Sequence, residues 1–464
     1  MAPGSSSAKR NSSIYSSFSR TGYYPQSCRG GRKRGTEMTF AFIVFFILLA
    51  MAVPIGYVMG FSSMVGLFSQ GGLDFLEPVA SRLHDGCSDY VLVAIPFFIL
   101  IGEFLNRSGM TERLVDFCNK LIGHFQGGLS HVNILVSILF AGLTGTAVTD
   151  TVAVGGILIP AMKKEGYTSS YSAAVTATSS VIGPIIPPSV VMVLYGSILR
   201  LSIPALFAAA ITPGLLCGAS LLVISWFLSK RRNFPKYKKA PFRELWRATY
   251  RAVPLLFTGI VIVGSILFGI TTVAAAAALG AFYVMLMGLL VYRTLSWKDI
   301  WESLLSTARM CGVVFLLIGA AAALGWYVTL SGAIDATSKL MVAISSNPWV
   351  ILTLVDAFIL IVCMFIDVIP AALILGPVLS PVMAKFGIDP IHFAMIMMLG
   401  LNIGNATPPM GMTLMTASRI AGIAYEQSWK DAFYFIIFEV FALLIVTYIP
   451  FLSLWLPRLL GWAA

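Results

Sequence analysis

Two apolar segments of the chain each carry a double proline that follows a glycine at the same spacing: Gly183-Pro184-Ile185-Ile186-Pro187-Pro188 and Gly404-Asn405-Ala406-Thr407-Pro408-Pro409. The segments lie 221 residues apart. Further identities at this offset are Pro160 with Pro381, Met162 with Met383, Lys164 with Lys385, Gly166 with Gly387 and Ala173 with Ala394. Because proline lacks an amide hydrogen and clashes with the preceding turn, each double proline predicts a broken helix. Broken apolar helices at matching positions of two halves indicate a transporter binding site at mid-membrane.

The composition is that of a membrane protein. Of the 464 residues, 58% are hydrophobic and 11% are charged, against about 25% charged in ordinary soluble domains. Mean hydropathy is +0.87. Apolar runs recur along the chain, among them Phe40–Gly60, Ile203–Leu228, Val253–Phe268, Val350–Phe365 and Phe433–Leu454. Since a span needs roughly 20 apolar residues, we predict an all-α polytopic membrane protein with about 11–13 transmembrane helices, hairpin arms included.

The charges divide the chain into four segments. Residues 1–37 are basic, Ser-rich and poor in acids, which predicts a disordered extension. Although this composition resembles a transit peptide, the simpler interpretation is that the native chain starts at Met38. The basic segment 229–251 is predicted to be cytoplasmic by the positive-inside rule. It joins two membrane halves, 38–228 and 252–464.

Several functional classes are excluded by the pattern of polar residues. The formal net charge of +11 is concentrated in residues 1–37 and in the basic loop, and a juxtamembrane basic loop accounts for the latter without a nucleic-acid partner. The six cysteines and four histidines show no metal-ligand spacing. No set of nucleophile, base or metal ligands converges, so the chain is predicted not to be an enzyme and to need no cofactor.

Each half contains a hairpin candidate before its broken helix. The first runs from about 135 to 162, and its centre at 142–151 is too polar and Gly-rich for a simple lipid-facing helix. The second covers 352–383. Gly166 and Gly387 follow the hairpins and are predicted helix C-caps. Residue identities leave open whether the halves are inverted or parallel, since this depends on whether an odd or even number of crossings separates them.

The breaks can bind ions of both signs. Unwound carbonyls inside a membrane protein are tolerated only when buried in protein or facing water, and there they can bind a hard cation such as Na⁺. The helix that restarts after the break offers amide hydrogens and a positive dipole end to an anion. Two breaks therefore predict two cation sites beside one anionic substrate.

Buried acids need partners, because a charge at this depth is expensive. Asp150 and Asp367 are predicted to take part in cation binding or hairpin-tip contacts, with an N-cap role as the alternative. Glu103, Asp356 and Glu439 are interpreted as structural polar contacts between helices.

At these residues the chain resembles the large membrane subunit of the TRAP (tripartite ATP-independent periplasmic) transporters, DctM-like. The resemblance covers essentially all of 38–464 and is carried by Thr144–Asp150, Ile159–Tyr167, Ser179–Ser189, Met364–Pro370, Gly387–Phe393 and Thr407–Gly411. It implies an elevator-type permease of the bacterial inner membrane, with two re-entrant hairpins and two broken helices in inverted repeats. It also implies Na⁺-coupled import of a small organic acid, a periplasmic substrate-binding protein and a small four-helix membrane subunit.

The resemblance also implies site residues. The first Na⁺ site would use the carbonyls of Gly183, Ile186 and Pro188 with the hairpin tip Thr144–Thr146. The second would use Gly404, Thr407 and Met410, closed by the second hairpin. Substrate contact and gating would involve Gly145, Asp150, Ser189, Asp367, Pro187, Pro408 and Pro409. The tip Thr144-Gly145-Thr146 replaces the commoner Ser-Gly-Ser and keeps a hydroxyl at each place.

The alternative is a stand-alone secondary Na⁺/carboxylate symporter of related architecture that uses no binding protein. C4-dicarboxylates, sugar acids, sialic acids and keto acids all stay open as substrates, and so does coupling to H⁺ instead of Na⁺.

Overall fold

A computed structural model of the protein describes residues 31–71 and 77–462. Within these ranges all regular structure is helical, which confirms the all-α prediction. Residues 1–30 of the predicted N-terminal extension lie outside the described residues. The first helix begins at Gly31, inside the predicted extension and before Met38.

The first helices precede the repeated elements. They are α1 (Gly31–Ala50), α2 (Ile55–Gly71), α3 (Glu77–Cys87), α4 (Ala94–Arg107) and α5 (Met110–Ile122). The apolar run Phe40–Gly60, expected to be one span, is divided between α1 and α2. Pro54, which lies between the two helices, cannot continue the helical hydrogen-bond ladder of α1.

The first repeat unit contains a hairpin, a broken helix and a long helix. Its helices are α6 (Gly128–Thr144), α7 (Ala147–Lys164), α8 (Ser169–Ser180), α9 (Val190–Leu199) and α10 (Ile203–Arg231). We name α6 and α7 hairpin 1, and residues 181–189 break 1.

Three long helices and one short one separate the repeats. They are α11 (Phe242–Leu267), α12 (Val273–Leu286, continued by a π-helical turn over Met287–Val291), α13 (Trp297–Ser331) and α14 (Ala333–Ile344). The basic segment 229–251 thus includes the end of α10 and the start of α11, and residues 232–241 connect the two helices.

The second repeat unit follows the same order. Its helices are α15 (Pro348–Cys363), α16 (Val368–Lys385), α17 (Pro390–Ala406), α18 (Met412–Ala421) and α19 (Trp429–Tyr448), after which α20 (Phe451–Leu459) ends the fold. We name α15 and α16 hairpin 2, and residues 407–411 break 2.

The structure repeats at the offset seen in the sequence. Helices α7 and α16 begin and end at positions 221 residues apart, and so do the starts of α8 and α17. The predicted C-caps are confirmed, since Gly166 and Gly387 adopt left-handed φ values of 85° and 78°. The residue after each glycine donates its amide to the carbonyl of Met162 or Met383, at 3.0 and 3.1 Å. This is the Schellman ending of a helix.

Seven helices in the described ranges are long and apolar enough to cross a membrane, or eight if the bent pair α14 and α15 forms one span. This is fewer than the 11–13 predicted. The difference arises because the arms of hairpins and broken helices, such as α6, α9 and α17, are apolar but individually shorter than a span.

In each broken helix, the half that follows the break packs on the opposite repeat unit. Hairpin 1 packs on α8 and hairpin 2 packs on α17, each within its own unit. Beyond the breaks, α9 packs on α16, while α18 packs on α7 and α8. Helix α13 lies against α2, α3, α4 and α16. Each break therefore forms where elements of both halves meet.

Candidate cation and substrate site

Three backbone carbonyls of break 1 accept no hydrogen bond from the described residues. The amides of Ile185 and Ile186 both donate to the carbonyl of Ile182, at 3.0 and 3.1 Å. Within the described part of the chain, no hydrogen bond ends on the carbonyl of Gly183, Ile186 or Pro188. The segment is buried except for the half-buried Ile186. Since buried carbonyls are rarely left unpaired, these three are suited to an external ligand.

The tip of hairpin 1 lies on break 1. Gly145 adopts a left-handed φ of 64°, and a Cβ built there would lie 3.2 Å from the carbonyl oxygen of Pro188. Thr146 follows in extended conformation at the N-cap position of α7. Its buried Oγ1 has no hydrogen-bond partner among the described residues. The side chain of Thr144 lies outside the described residues. The tip therefore brings a hydroxyl oxygen and a closely packed backbone to the carbonyls of break 1.

Asp150 borders break 1 from the first turn of α7. Its side chain is fully buried. A Cβ added to Gly183 would lie 2.6 Å from Asp150 Oδ2, so the carboxylate is in contact with the break. The N-cap of α7 is Thr146, not Asp150, so the alternative role of Asp150 as an N-cap is wrong. A carboxylate beside several carbonyl dipoles makes the region favourable for a cation.

Ser189 has a local structural task. It is the N-cap of α9, and its Oγ accepts a hydrogen bond from the amide of Met192 at 3.3 Å. Such caps satisfy amides at the start of a helix. The predicted contact between Ser189 and substrate would therefore use the hydroxyl hydrogen, which the cap leaves available.

At break 2, two of the three carbonyls predicted to bind a cation accept backbone hydrogen bonds. The amide of Thr407 donates to the carbonyl of Gly404 at 3.0 Å, and the amide of Gly411 donates to the carbonyl of Thr407 at 3.2 Å. Thr407 Oγ1 donates to the carbonyl of Ile403 at 2.7 Å. Among described hydrogen bonds, none ends on the carbonyl of Met410. Each carbonyl has two lone pairs, so Gly404 and Thr407 keep capacity for a cation.

Hairpin 2 contacts the end of α17, directly before break 2, through its first arm and its tip. A Cβ on Gly404 would lie 2.6 Å from Cys363 Cβ and 2.8 Å from the carbonyl oxygen of Leu360. Asp367 occupies the N-cap position of α16, but its side chain forms no cap hydrogen bond. Instead it accepts a bond of 3.4 Å from Asn405 Nδ2.

The site residues predicted from the sequence do not include Asn405. Its counterpart in the first repeat is Pro184. Its side chain is 1% exposed, and its Oδ1 has no partner among the described residues. Thr413 Oγ1 donates to the Asn405 carbonyl at 3.1 Å across the break. The sequence signal for this residue is a side-chain amide inside an apolar repeated segment, because a buried amide needs hydrogen-bond partners.

A second polar cluster fastens hairpin 1 to α8. Asn133 Nδ2 donates to Thr176 Oγ1 at 2.7 Å, and Asn133 Oδ1 accepts from Ser179 Oγ at 3.0 Å. Ser137 Oγ donates to Ser179 Oγ at 3.0 Å. All four side chains are fully buried. Hydrogen-bonded networks of this kind fix one arrangement of the elements they join.

The two breaks differ in exposure. Pro187 and Pro188 are buried, whereas Pro408 is buried but Pro409 is exposed. Met410 is 50% exposed. The Pro187–Pro188 and Pro408–Pro409 bonds are both cis. Break 2 is therefore the break whose end reaches the surface in this conformation.

The donor set of both breaks consists of oxygen. It combines backbone carbonyls, the Thr146 hydroxyl, the Asn405 amide oxygen and two carboxylates. Within the described ranges, no group of three or more His, Cys, Asp or Glu side chains could hold a metal ion. Oxygen ligands of this kind suit hard cations better than transition metals.

Comparison with known proteins identifies the family. Residues 42–452 match the family model described as "Tripartite ATP-independent periplasmic transporter, DctM component". The chain is 35% identical over 414 residues to the sialic acid TRAP transporter large permease protein SiaM of Vibrio cholerae, covering 89% of this chain and 96% of the relative.

Two other relatives support the same assignment. The 2,3-diketo-L-gulonate TRAP transporter large permease protein YiaN of Escherichia coli is 33% identical, with coverage of 87% and 94%. The C4-dicarboxylate TRAP transporter large permease protein DctM of Rhodobacter capsulatus is 31% identical, with coverage of 91% and 99%.

A solved structure supports the fold alone. The YdaH transporter of Alcanivorax borkumensis superposes with a TM-score of 0.60 at 12% identity, covering 91% of this chain and all of that one. Large permeases of the TRAP family are transporters and not enzymes, and they work with a small membrane subunit and a periplasmic binding protein. The chain therefore belongs to the DctM component family of TRAP transporters and is a multi-pass protein of the inner membrane.

Proposed function

We propose that this chain is the permease of a Na⁺-coupled importer for a small carboxylate. A periplasmic binding protein would deliver the carboxylate, and a small four-helix subunit would be the permease's partner in the membrane. One observation carries most of the proposal. The tip of hairpin 1 lies against break 1, where the carbonyls of Gly183, Ile186 and Pro188 accept no described hydrogen bond.

The first Na⁺ would be bound by these three carbonyls and by Thr146 Oγ1. The second would be bound by the carbonyls of Gly404, Thr407 and Met410, with Asp367 and Asn405 closing hairpin 2 over it. A buried Na⁺ would offset the negative charge of Asp150 and Asp367. This makes Na⁺ binding and hairpin closure mutually favourable.

The names of three relatives and the ends of the restarted helices support a carboxylate as the substrate. The names of relatives specify sialic acid, 2,3-diketo-L-gulonate and C4-dicarboxylates, all of which are carboxylates. The restarted helices α9 and α18 would present amide groups to an anion. Ser189, Pro187, Pro408 and Pro409 lie at these restarts. Bound Na⁺ would add positive charge near the same place and would thereby raise affinity for the carboxylate.

The proposed transport step is an elevator movement of hairpins and broken helices against a scaffold. In the described ranges, four helices long and apolar enough to span a membrane separate the two hairpins: α10, α11, α12 with its π-helical turn, and α13. We take the first broken helix as a fifth crossing, which makes the number odd. An odd number of crossings inverts the second repeat relative to the first. Because α9 and α18 each pack on the opposite repeat unit, we expect the two repeat units to move together.

Na⁺ binding is tested by thermal unfolding of the purified chain in NaCl and in KCl at equal ionic strength. A ligand at a hundredfold excess over its Kd stabilises the folded state by about 2.7 kcal/mol. We expect a higher midpoint in NaCl, and a smaller Na⁺ effect in Thr146→Val, which removes the unpartnered hydroxyl. Thr329→Val is the control, because Thr329 is exposed and bonds only within α13. Equal midpoints in both salts would reject Na⁺ binding.

Dependence on partners is tested by uptake in proteoliposomes. We expect carboxylate uptake driven by a Na⁺ gradient only when the binding protein and the small subunit are both supplied. Pro188→Ala and Thr407→Ala should reduce this uptake more than they reduce expression. Uptake by the chain alone would favour the stand-alone symporter instead.

A further inference from the structure

Glu439 is a buried acid that the proposed mechanism does not use. It lies in the middle of α19 and has no solvent exposure. Neither of its carboxylate oxygens has a hydrogen-bond partner among the described residues. Burying an isolated ionised carboxylate costs so much that such a group takes up a proton instead. A carboxyl group that holds a proton avoids this cost.

Among the described residues, no basic side chain of the helices around α19 pairs with this acid. The titratable neighbour is Cys217 of α10, which is also fully buried. Tyr171 of α8 packs on Phe435, one turn before Glu439. Two turns after it, Asp356 of α15 accepts from Thr447 Oγ1, and His392 of α17 lies 3.3 Å from the Thr447 carbonyl. At the start of α19, Asp431 pairs with Arg232. No described salt bridge includes Glu439.

Helix α10 connects Glu439 to break 1. Cys217 lies between Gly214 and Gly218 of this helix. A Cβ on Gly214 would lie 2.5 Å from Ile186 Cγ1, and a Cβ on Gly218 would lie 2.6 Å from Ile138 Cδ1 of hairpin 1. Helix α10, which covers Glu439 on one side, therefore packs so closely against break 1 and hairpin 1 that neither glycine has room for a Cβ. Movement of either element away from α10 would disturb the packing that excludes water from the acid.

We propose that Glu439 is a proton-binding site that communicates with break 1 through α10. The carboxyl group holds its proton while α10 and break 1 are packed as seen here. When that packing opens, water reaches the acid, its O–H bond breaks heterolytically and the proton passes to water, leaving the carboxylate. Repacking returns a proton from water to the same group. The inference rests on the proposed transport function and adds a proton equilibrium to it.

The presence of a proton on Glu439 is tested by infrared difference spectroscopy on the full chain, with Na⁺ addition and pH changes as the perturbations. We expect a C=O stretching band of a protonated carboxyl group that responds to both perturbations and is absent in Glu439→Gln. Glu103→Gln is the matched control, because Glu103 accepts from Ser306 Oγ at 2.8 Å and pairs with Arg107. It should keep the band. If Glu439→Gln does not fold, Glu439→Asp keeps a carboxyl group and should shift the band. A wild-type spectrum without this band, or a band unaffected by substitution of Glu439, would overturn the inference.

The link to transport is tested by the pH profile of Na⁺-driven uptake in the complete transporter. Release of one proton on opening shifts the equilibrium between the two packings by up to about tenfold per pH unit. Glu439→Gln should remove this part of the pH dependence, and Glu103→Gln should retain it. Na⁺-driven uptake with an unchanged pH profile in Glu439→Gln would overturn this inference and leave the proposed function standing. Absence of Na⁺-driven uptake in the wild type would reject the proposed function, and the infrared band would then decide the role of Glu439.

Discussion

Gly183 of break 1 lies directly against Asp150 of hairpin 1, so that a Cβ at Gly183 would come within 2.6 Å of Asp150 Oδ2. Its repeat counterpart Gly404 lies as closely against Cys363 of hairpin 2. The two contacts involve opposite arms, the second arm of hairpin 1 and the first arm of hairpin 2. The same glycine in each repeat therefore sets how closely a hairpin approaches its break.

Gly183→Ala should disrupt the first cation site. The added methyl group would force Asp150 or break 1 to move, and overpacking of this kind costs about 1–3 kcal/mol. We expect a lower unfolding midpoint and a weaker difference between NaCl and KCl. Gly156→Ala is the control, because a Cβ at Gly156 meets no atom within 4 Å. An unchanged Na⁺ effect in Gly183→Ala would separate this contact from cation binding.

Gly145→Ala should weaken closure of hairpin 1. A left-handed backbone costs a residue with a Cβ about 1–2 kcal/mol, and here the Cβ would also contact the Pro188 carbonyl. Gly166→Ala imposes the same backbone strain at φ 85° with nothing within 4 Å. We expect both variants to lose thermal stability, but only Gly145→Ala to lose Na⁺-dependent uptake. Equal uptake in the two variants would contradict the role of the tip.

Asn405 and Asp367 should behave as an energetically coupled pair. Replacement of either by Ala removes the bond between hairpin 2 and the end of α17, so the double variant should lose less stability than the sum of the single ones. Contacting polar residues show coupling energies of about 0.5–3 kcal/mol. The coupling energy is measured as a double-mutant cycle, from the free energies of unfolding in NaCl of the wild type, the two single variants and the double variant. Additive losses would mean that the 3.4 Å contact contributes nothing to closure.

Asp431 should stabilise the end of the fold where α8, α10 and α19 meet. It accepts a hydrogen bond from Ser170 Oγ at 2.6 Å and pairs with Arg232, which lies over the ring of Tyr171. Asp431→Asn should lower the free energy of unfolding by about 1–3 kcal/mol, because charged hydrogen bonds are lost from a partly buried site.

Asp116→Asn is the comparison for this change, since Asp116 pairs with Lys120 within one helix. An exposed pair of this kind contributes roughly 0–1 kcal/mol. Equal effects of the two substitutions on the unfolding midpoint would show that the cluster around Asp431 does not fasten the three helices together.

The features predicted correctly from the sequence are local ones. Both broken helices stop before their double prolines, α8 at Ser180 and α17 at Ala406, and proline cannot donate to the preceding turn. Gly166 and Gly387 end helices because they adopt left-handed conformations easily. Local sequence also explains one error: the apolar run Phe40–Gly60 has the length of a span, but Pro54 separates it into α1 and α2.

The incomplete predictions concern side-chain partners. Ser189 was assigned to substrate, and its oxygen caps α9. Thr407 was assigned to cation binding, and its hydroxyl already bonds to Ile403. The structure adds a local backbone partner for each hydroxyl group, and the predicted binding roles of both residues stay predictions. Glu439 was interpreted as a contact between helices, yet it has no hydrogen-bond partner in the described ranges.

The membrane class, the 221-residue repeat and the positions of both breaks are predictable from the amino-acid sequence, because hydropathy and proline geometry act over a few neighbouring residues. Three contacts emerge from the folded arrangement alone: the tip at Gly145 lies on Pro188, Asn405 meets Asp367, and α9 and α18 pack on the opposite half. These contacts join residues far apart in the chain, and they depend on the shapes and distances of packed helices, which no local pattern encodes.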